Sequence, residues 1–133
     1  MAKGSDDITM TLKLEGKDIG PVQLNMQVSK TIAVGGGESG IMSATCSTTG
    51  LDIINRAAAG RTFVFVHNTG TTNAIKIQSA PTDGSTYSHI ATINAGEFGI
   101  LPLAAGTIAN TKCRLLTASG TTTCNYATFE MNN

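Results

Sequence analysis

His67 and His89 are the chain's only imidazoles, and with Asp52, Asp83 or a cysteine they are the side chains that could assemble a zinc site or a nucleophile–base pair. Their neighbours argue for a plainer role. His67 ends the most apolar run of the sequence, just before a turn-forming stretch, and His89 sits beside Tyr87 and Ile90, ordinary positions for a hydrogen-bonded or half-exposed histidine. Nothing local supplies the orienting acid or oxyanion-stabilising turn of a Cys–His hydrolase. Gly35-Gly36-Gly37-Glu38-Ser39-Gly40 has the composition of a phosphate loop, but such a cradle needs a helix after it and usually a Lys-Ser/Thr ending, whereas Ile41-Met42 follows here. It reads as a flexible joint. Cys46, Cys113 and Cys124 are an odd number at spacings that fit neither a disulfide framework nor a CxxC knuckle. They read as small buried hydrophobes, with a Cys113–Cys124 cross-strand pair as the alternative because both lie near a tight turn. The sequence thus predicts no catalytic residue, no metal site and no cofactor.

The elements that would position these side chains are strands. From Asp7 to Glu15 every even position is apolar (Ile8, Met10, Leu12, Leu14) and every odd one polar, the period of a half-buried strand. The parity resumes after residues 16–20 with Val22, Leu24, Met26 and Val28, then Ile32 and Val34. The two segments predict an antiparallel hairpin with one apolar face. A turn centred on Asp18 would set Leu14 opposite Val22, Leu12 opposite Leu24, Met10 opposite Met26 and Ile8 opposite Val28; slips of two residues would preserve the faces. Residues 1–34 form this hairpin or arm, 35–40 the glycine-rich joint, and 41–133 the body.

Within the body, Ile41 to Cys46 suggests a short strand, and Leu51 to Ala59 either a strand or one helical turn. Thr62-Phe63-Val64-Phe65-Val66 is continuously apolar and β-branched or aromatic, as in a central strand covered on both faces. His67 to Asn73 reads as a turn and Ala74 to Gln78 as the returning strand. Further strands are predicted at Tyr87 to Ile93, Glu97 to Leu103, Lys112 to Ala118 and Thr121 to Met131, the last two joined as a tight hairpin through Ser119-Gly120. Pro102 marks its strand as an edge or an ending. Phe63, Phe65, Phe98 and Phe129 are assigned to the core. Eight or nine short strands at spacings of about ten residues indicate an all-β fold, an antiparallel β-sandwich or jelly-roll-like domain with an N-terminal β-hairpin.

The chain has 133 residues, nine Lys+Arg against nine Asp+Glu, only 14% charged residues and no Trp. A length of this order buries roughly two-thirds of the unfolded surface without disulfides or a metal. The scattered basic residues create no concentrated positive field, which disfavours nucleic acid. No apolar run reaches the ~20 residues of a membrane-spanning helix. Met1 to Asp7 lacks the apolar stretch of a secretory signal, so synthesis in a cytoplasm-like compartment is expected. A glycan-binding module is an alternative at this size, but such sites commonly stack sugars on exposed aromatics. Only Tyr87 and Tyr126 remain for that purpose.

Arg61 to Gln78, Asn94-Ala-Gly-Glu-Phe-Gly-Ile-Leu-Pro-Leu103 and the closing Tyr126-Ala-Thr-Phe-Glu-Met131 carry a family likeness. Residues 61–131 resemble small β-rich virion proteins of tailed bacteriophages, in which a strand, Asn-Thr-x-x-Thr-Asn, strand unit precedes an Ala-Gly-Glu-Phe turn and two C-terminal strands. Head decoration (cement) proteins are the members most similar. The resemblance implies a non-enzymatic structural protein that sits on an assembled capsid, bound to the major capsid protein and to itself as a homotrimer. Tail, baseplate or head-fibre components share the composition. The hairpin lies outside the matched region. It carries more apolar residues than a solitary ribbon covers, so either it packs on another subunit or another protein, with Ile8, Met10, Leu12, Leu14, Leu24 and Met26 as the candidate partner-binding residues, or it is an ordinary pair of sheet strands in its own monomer.

Overall fold

The computed structural model describes residues 6–16, 25–36, 41–54, 62–81, 86–103 and 111–131, all of them strand or connection, with no helix among them. Among the described residues ten strands run in chain order: β1 Asp6–Glu15, β2 Asn25–Gly36, β3 Met42–Cys46, β4 Leu51–Ile54, β5 Thr62–Asn68, β6 Ile75–Pro81, β7 Ser88–Ile93, β8 Phe98–Pro102, β9 Thr111–Leu116 and β10 Thr122–Met131. Both 42–46 and 51–54 within the irregular stretch are strands.

One sheet has the order β1-β2-β10-β5-β8 with β3 also on β10, and the other is β4-β9-β6-β7, every pair antiparallel. Set aside the β1–β2 ribbon, and β3-β10-β5-β8 faces β4-β9-β6-β7, the two four-stranded sheets of a jelly roll. Between them pack Cys46, Val64, Val66 and Cys124 from the first sheet and Ile54, Ile75, Ile77, Ile93, Cys113 and Leu115 from the second.

Two expected hairpins do not form. β6 does not return beside β5, and β10 does not pair with β9; each crosses to the other sheet. Both edges of β5 are taken, by β10 and β8, and β10 is flanked by β5 on one side and by β3 and β2 on the other, so neither has an edge free for its chain neighbour. Pro102 does lie in an edge strand, where its missing N–H costs no ladder bond.

Six connections cross between the sheets, and at one end of the sandwich Asn68 ties together three of them, β5–β6, β7–β8 and β9–β10. Its fully buried amide Nδ2 donates to the carbonyls of Asn73 (2.8 Å) and Ile93 (3.1 Å), and its Oδ1 accepts from Gly70 N (3.1 Å) and Thr122 Oγ1 (2.8 Å). Asn68 N donates to Glu97 O and Gly96 N to Asn68 O, both at 2.9 Å. In the β7–β8 turn Glu97 N donates to Asn94 O, and Gly96 has the φ of +81° that a type II turn requires at its third position. The Glu97 carboxylate accepts from Asn94 N at 2.9 Å. Much of the Asn-Thr and Ala-Gly-Glu patterning in the sequence is therefore turn chemistry that holds the two sheets in register.

The ribbon forms, with β1 and β2 paired along ten residues. Its register is displaced: Leu14 faces Met26, Leu12 faces Val28 and Met10 faces Lys30, four residues from the pairing a turn at Asp18 would give. Four is even, so the apolar face survives. Residues 17–24, Leu24 and Val22 included, lie outside the described residues. Of the residues expected as a joint, Gly35 and Gly36 belong to β2, and Gly36 pairs with Glu130; residues 37–40 lie outside the described residues.

All three cysteines are free and buried. Cys113 and Cys124 belong to different sheets and are not a cross-strand pair; Cys124 instead neighbours Cys46, Sγ to Sγ 3.4 Å.

Candidate interaction surface

The continuous apolar run of β5 serves two layers. Val64, Val66 and Asn68 point between the sheets, whereas Phe63, Phe65 and His67 point to the outer face of the first sheet, as the alternation of a strand demands. On that outer face Phe65 sits opposite Ala127 on β10 and Ile100 on β8, and Phe63 opposite Phe129. The result is a second apolar surface that the sandwich core does not use.

The ribbon confronts this surface with its own apolar face. Its two sides are sharply divided. On the polar side Thr9 bonds Thr31 and Thr11 bonds Ser29 through their hydroxyls, each at 3.0 Å, and Lys13 pairs with Glu15 at 3.0 Å. The opposite side carries Ile8, Met10, Leu12, Leu14, Met26 and Val28. Between this face and the sheet lies a groove of about 710 Å³, lined on the ribbon side by Ile8, Met10, Leu12 and Val28 and on the sheet side by Phe65, Phe98, Ile100, Ala127 and Phe129, with Ile41 beside them. Lys30 is the one charged lining residue.

The groove is not filled. Leu12 is 46% exposed, Val28 49%, Phe98 67% and Ile41 71%, and Leu14, Met26 and Ile100 are exposed as well. Lone exposed apolar side chains are normal on a protein surface, whereas these form a contiguous set. Phe98 is thus not a core residue: it lies at the edge strand, edge-on to His67, ring centroids 6.0 Å apart and planes at 85°. Phe65 and Phe129 are half-buried on the outer face, and Phe63 alone of the four is buried.

Of the six residues singled out in the ribbon, Ile8, Met10 and Leu12 line the groove, Leu14 and Met26 lie exposed on the same face farther out, and Leu24 is outside the described residues. The periodicity of the ribbon identifies one wall only. The other wall, from Phe65, Phe98, Ile100, Ala127 and Phe129, comes from three strands distant in sequence, and its one legible sign is the unbroken apolar run at 63–66.

The residues with catalytic potential are dispersed. His67 lies on the first sheet, while His89 lies on β7 of the second, where its Nε2 is 3.1 Å from Thr92 Oγ1. Asp52 is opposite Arg114, and Asp83 lies outside the described residues. Among the described residues no three His, Cys, Asp or Glu side chains converge as a metal site would need. Burial pushes the Cys113 thiol up to about 12, the behaviour of an inert core thiol. Neither tyrosine offers an open platform for a sugar: the Arg114 guanidinium covers Tyr87 at 3.7 Å from its centroid while Arg114 Nε donates to Gln78 Oε1 at 2.9 Å, and Tyr126 packs against the core.

Fold and surface together define an all-β jelly roll carrying a β-ribbon and an open apolar groove. No protein-family model matches the chain, and no curated protein matches it.

Proposed function

We propose that this is a non-enzymatic structural virion protein of a tailed bacteriophage, a head decoration protein that binds the outer surface of the capsid and bridges capsomers. The observation that carries the reading is the uncovered apolar face of the ribbon and the groove beside it. Two further points support it. Residues 61–131 resemble phage virion proteins in their turn motifs, and the jelly-roll strand order is one that viral capsid domains use, an argument by analogy of fold.

Magnitudes favour a multivalent mode of attachment. Full burial of a Leu, Val, Met or Phe side chain contributes about 1.5–3 kcal/mol, so covering the roughly half-exposed Leu12, Leu14, Met26, Val28 and Phe98 yields about 4–7 kcal/mol gross. Association costs a comparable or larger amount, about 4–15 kcal/mol. One copy binding alone is weak, whereas a homotrimer engaging the major capsid protein through three ribbons gains by effective concentration. A net charge of zero suits a protein present in many neighbouring copies.

Antibody labelling of the intact virion in negative stain tests the assignment. Label distributed over the head supports it, and label confined to the tail, baseplate or fibres refutes it. Light scattering tests the oligomer: a protein that stays monomeric at high concentration and on capsids removes the trimer.

A further inference from the structure

Cys46 ends β3 and Cys124 lies in the adjoining β10, on the same face of the sheet and diagonally across the ladder, since Cys46 pairs with Thr122 and Ala44 with Cys124. Their sulfurs are 3.4 Å apart, both fully buried, and neither is needed for the contacts that form the groove. We infer that Cys46 and Cys124 form a peroxide-oxidisable dithiol whose disulfide staples the edge strand β3 to the central strand β10. Three observations carry this. The sulfurs already touch, so closing the bond takes side-chain rotation and a small strand adjustment. β3 is five residues long and among the described strands its one partner is β10, so opening this edge exposes the pair without disturbing the rest of the sheet. The two thiols also differ: the hydrogen bond between the sulfurs, in which either can be the donor, raises the Cys46 thiol and lowers that of Cys124, which favours Cys124 as the nucleophile.

The chemistry balances with hydrogen peroxide as the oxidant. The Cys124 thiolate attacks one peroxide oxygen, the O–O bond breaks, and hydroxide leaves, giving a sulfenic acid on Cys124. The Cys46 sulfur then displaces the sulfenic oxygen as water while its proton neutralises the charge, so two thiols and one peroxide become one disulfide and two waters. Reducing conditions keep the pair as thiols, and an oxidising medium closes it. The bond ties residues 78 apart in sequence and pins the strand that follows the ribbon. The inference stands whether or not the protein decorates a capsid.

Peroxide titration of the full-length protein tests it, followed by unfolding, alkylation and peptide mapping by mass spectrometry without reduction. The expected product has lost two hydrogens, contains a Cys46–Cys124 linked peptide, leaves Cys113 alkylated, and unfolds at a higher temperature than the reduced form. Cys113→Ala gives the same product. Three alkylated cysteines after peroxide treatment, sulfinic acid at Cys124 in place of the link, or a linked peptide containing Cys113 would each overturn it. The mapping uses the wild-type chain, so the result does not depend on a core variant folding.

Discussion

Removal of the Asn68 amide should cost more than any other single polar deletion among the described residues. The side chain is fully buried and all four of its hydrogen-bonding positions are used, two donated to the carbonyls of Asn73 and Ile93 and two accepted from Gly70 N and Thr122 Oγ1. At about 1 ± 0.5 kcal/mol per bond, with some relief from water entering the loop end, Asn68→Ala should lose about 3–5 kcal/mol. That is a large share of the ~5–15 kcal/mol that holds a domain together. Equilibrium urea unfolding followed by far-ultraviolet circular dichroism measures it directly, the midpoint falling with an unchanged slope. Asn68→Asp gives an independent check through pH. A carboxylate there would face the Asn73 and Ile93 carbonyls with no donor, so its folded pKa lies above its unfolded value of about 3.9, and stability is retained at low pH and lost as pH rises. The deficit relative to wild type should therefore be smaller near about pH 4 than near about pH 7. An Asn68→Ala loss under about 1 kcal/mol, or an Asn68→Asp deficit independent of pH, would refute the idea that this amide organises the turn end.

Other expectations concern single features. Phe98→Ser should change folding stability by less than about 1 kcal/mol because the ring is largely exposed at an edge strand, yet weaken attachment to heads in co-sedimentation; equal attachment would remove Phe98 from the interface. Gly70→Ala should destabilise by about 1–3 kcal/mol in thermal unfolding, since an added Cβ would collide with Thr122 Oγ1, a member of the Asn68 network. Thr62→Val removes a buried hydroxyl that has no partner among the described residues, so its unfolding free energy should be unchanged or higher by up to about 1 kcal/mol. The Cys113 thiol, pushed up to about 12 by burial, holds its proton longer in the folded state than in the unfolded one. Its contribution is thus complete below about pH 8.5 and falls away toward about pH 12, and alkaline unfolding curves of Cys113→Ala should lack that part of the slope.

What could be read from the residues alone divides along a physical line. Side-chain alternation is local, so the all-β class and the two-sided ribbon were legible, and 62–66 was legible as apolar on both faces, although its outer face borders the open groove where Phe65 is only half-buried. Strand partnership is global, because it depends on which edges are still free; β6 and β10 read as hairpin partners of their chain neighbours until β5 and β10 prove fully flanked. Register within the ribbon falls between the two, since parity forbids odd slips and leaves even ones open, which is how Leu14 comes to face Met26. The same division explains the candidate surface. The ribbon's apolar residues announce themselves by period, but the sheet wall opposite them assembles from β5, β8 and β10 only once the fold exists.

The way the ribbon is attached sharpens the reading of that surface. Among the described residues its ladder to the body consists of two residue pairs, Glu130 with Gly36 and Met131 with Val34, separated by a register irregularity. Its own two strands, by contrast, pair over ten residues. A ribbon built mainly of self-pairing satisfies its interior backbone bonds without the body, whereas its apolar face gains nothing until something covers it. Ile8 and Met10, nearest the attachment, are partly covered, while Leu12, Leu14, Met26 and Val28, farther along, are exposed. That gradient suits an element that is anchored at its base and completed by a partner along its length. Serine at both Leu12 and Val28 should accordingly leave thermal unfolding of the body almost unchanged while abolishing head attachment. A large drop in the unfolding temperature would mean instead that the ribbon's apolar face serves the monomer's own stability.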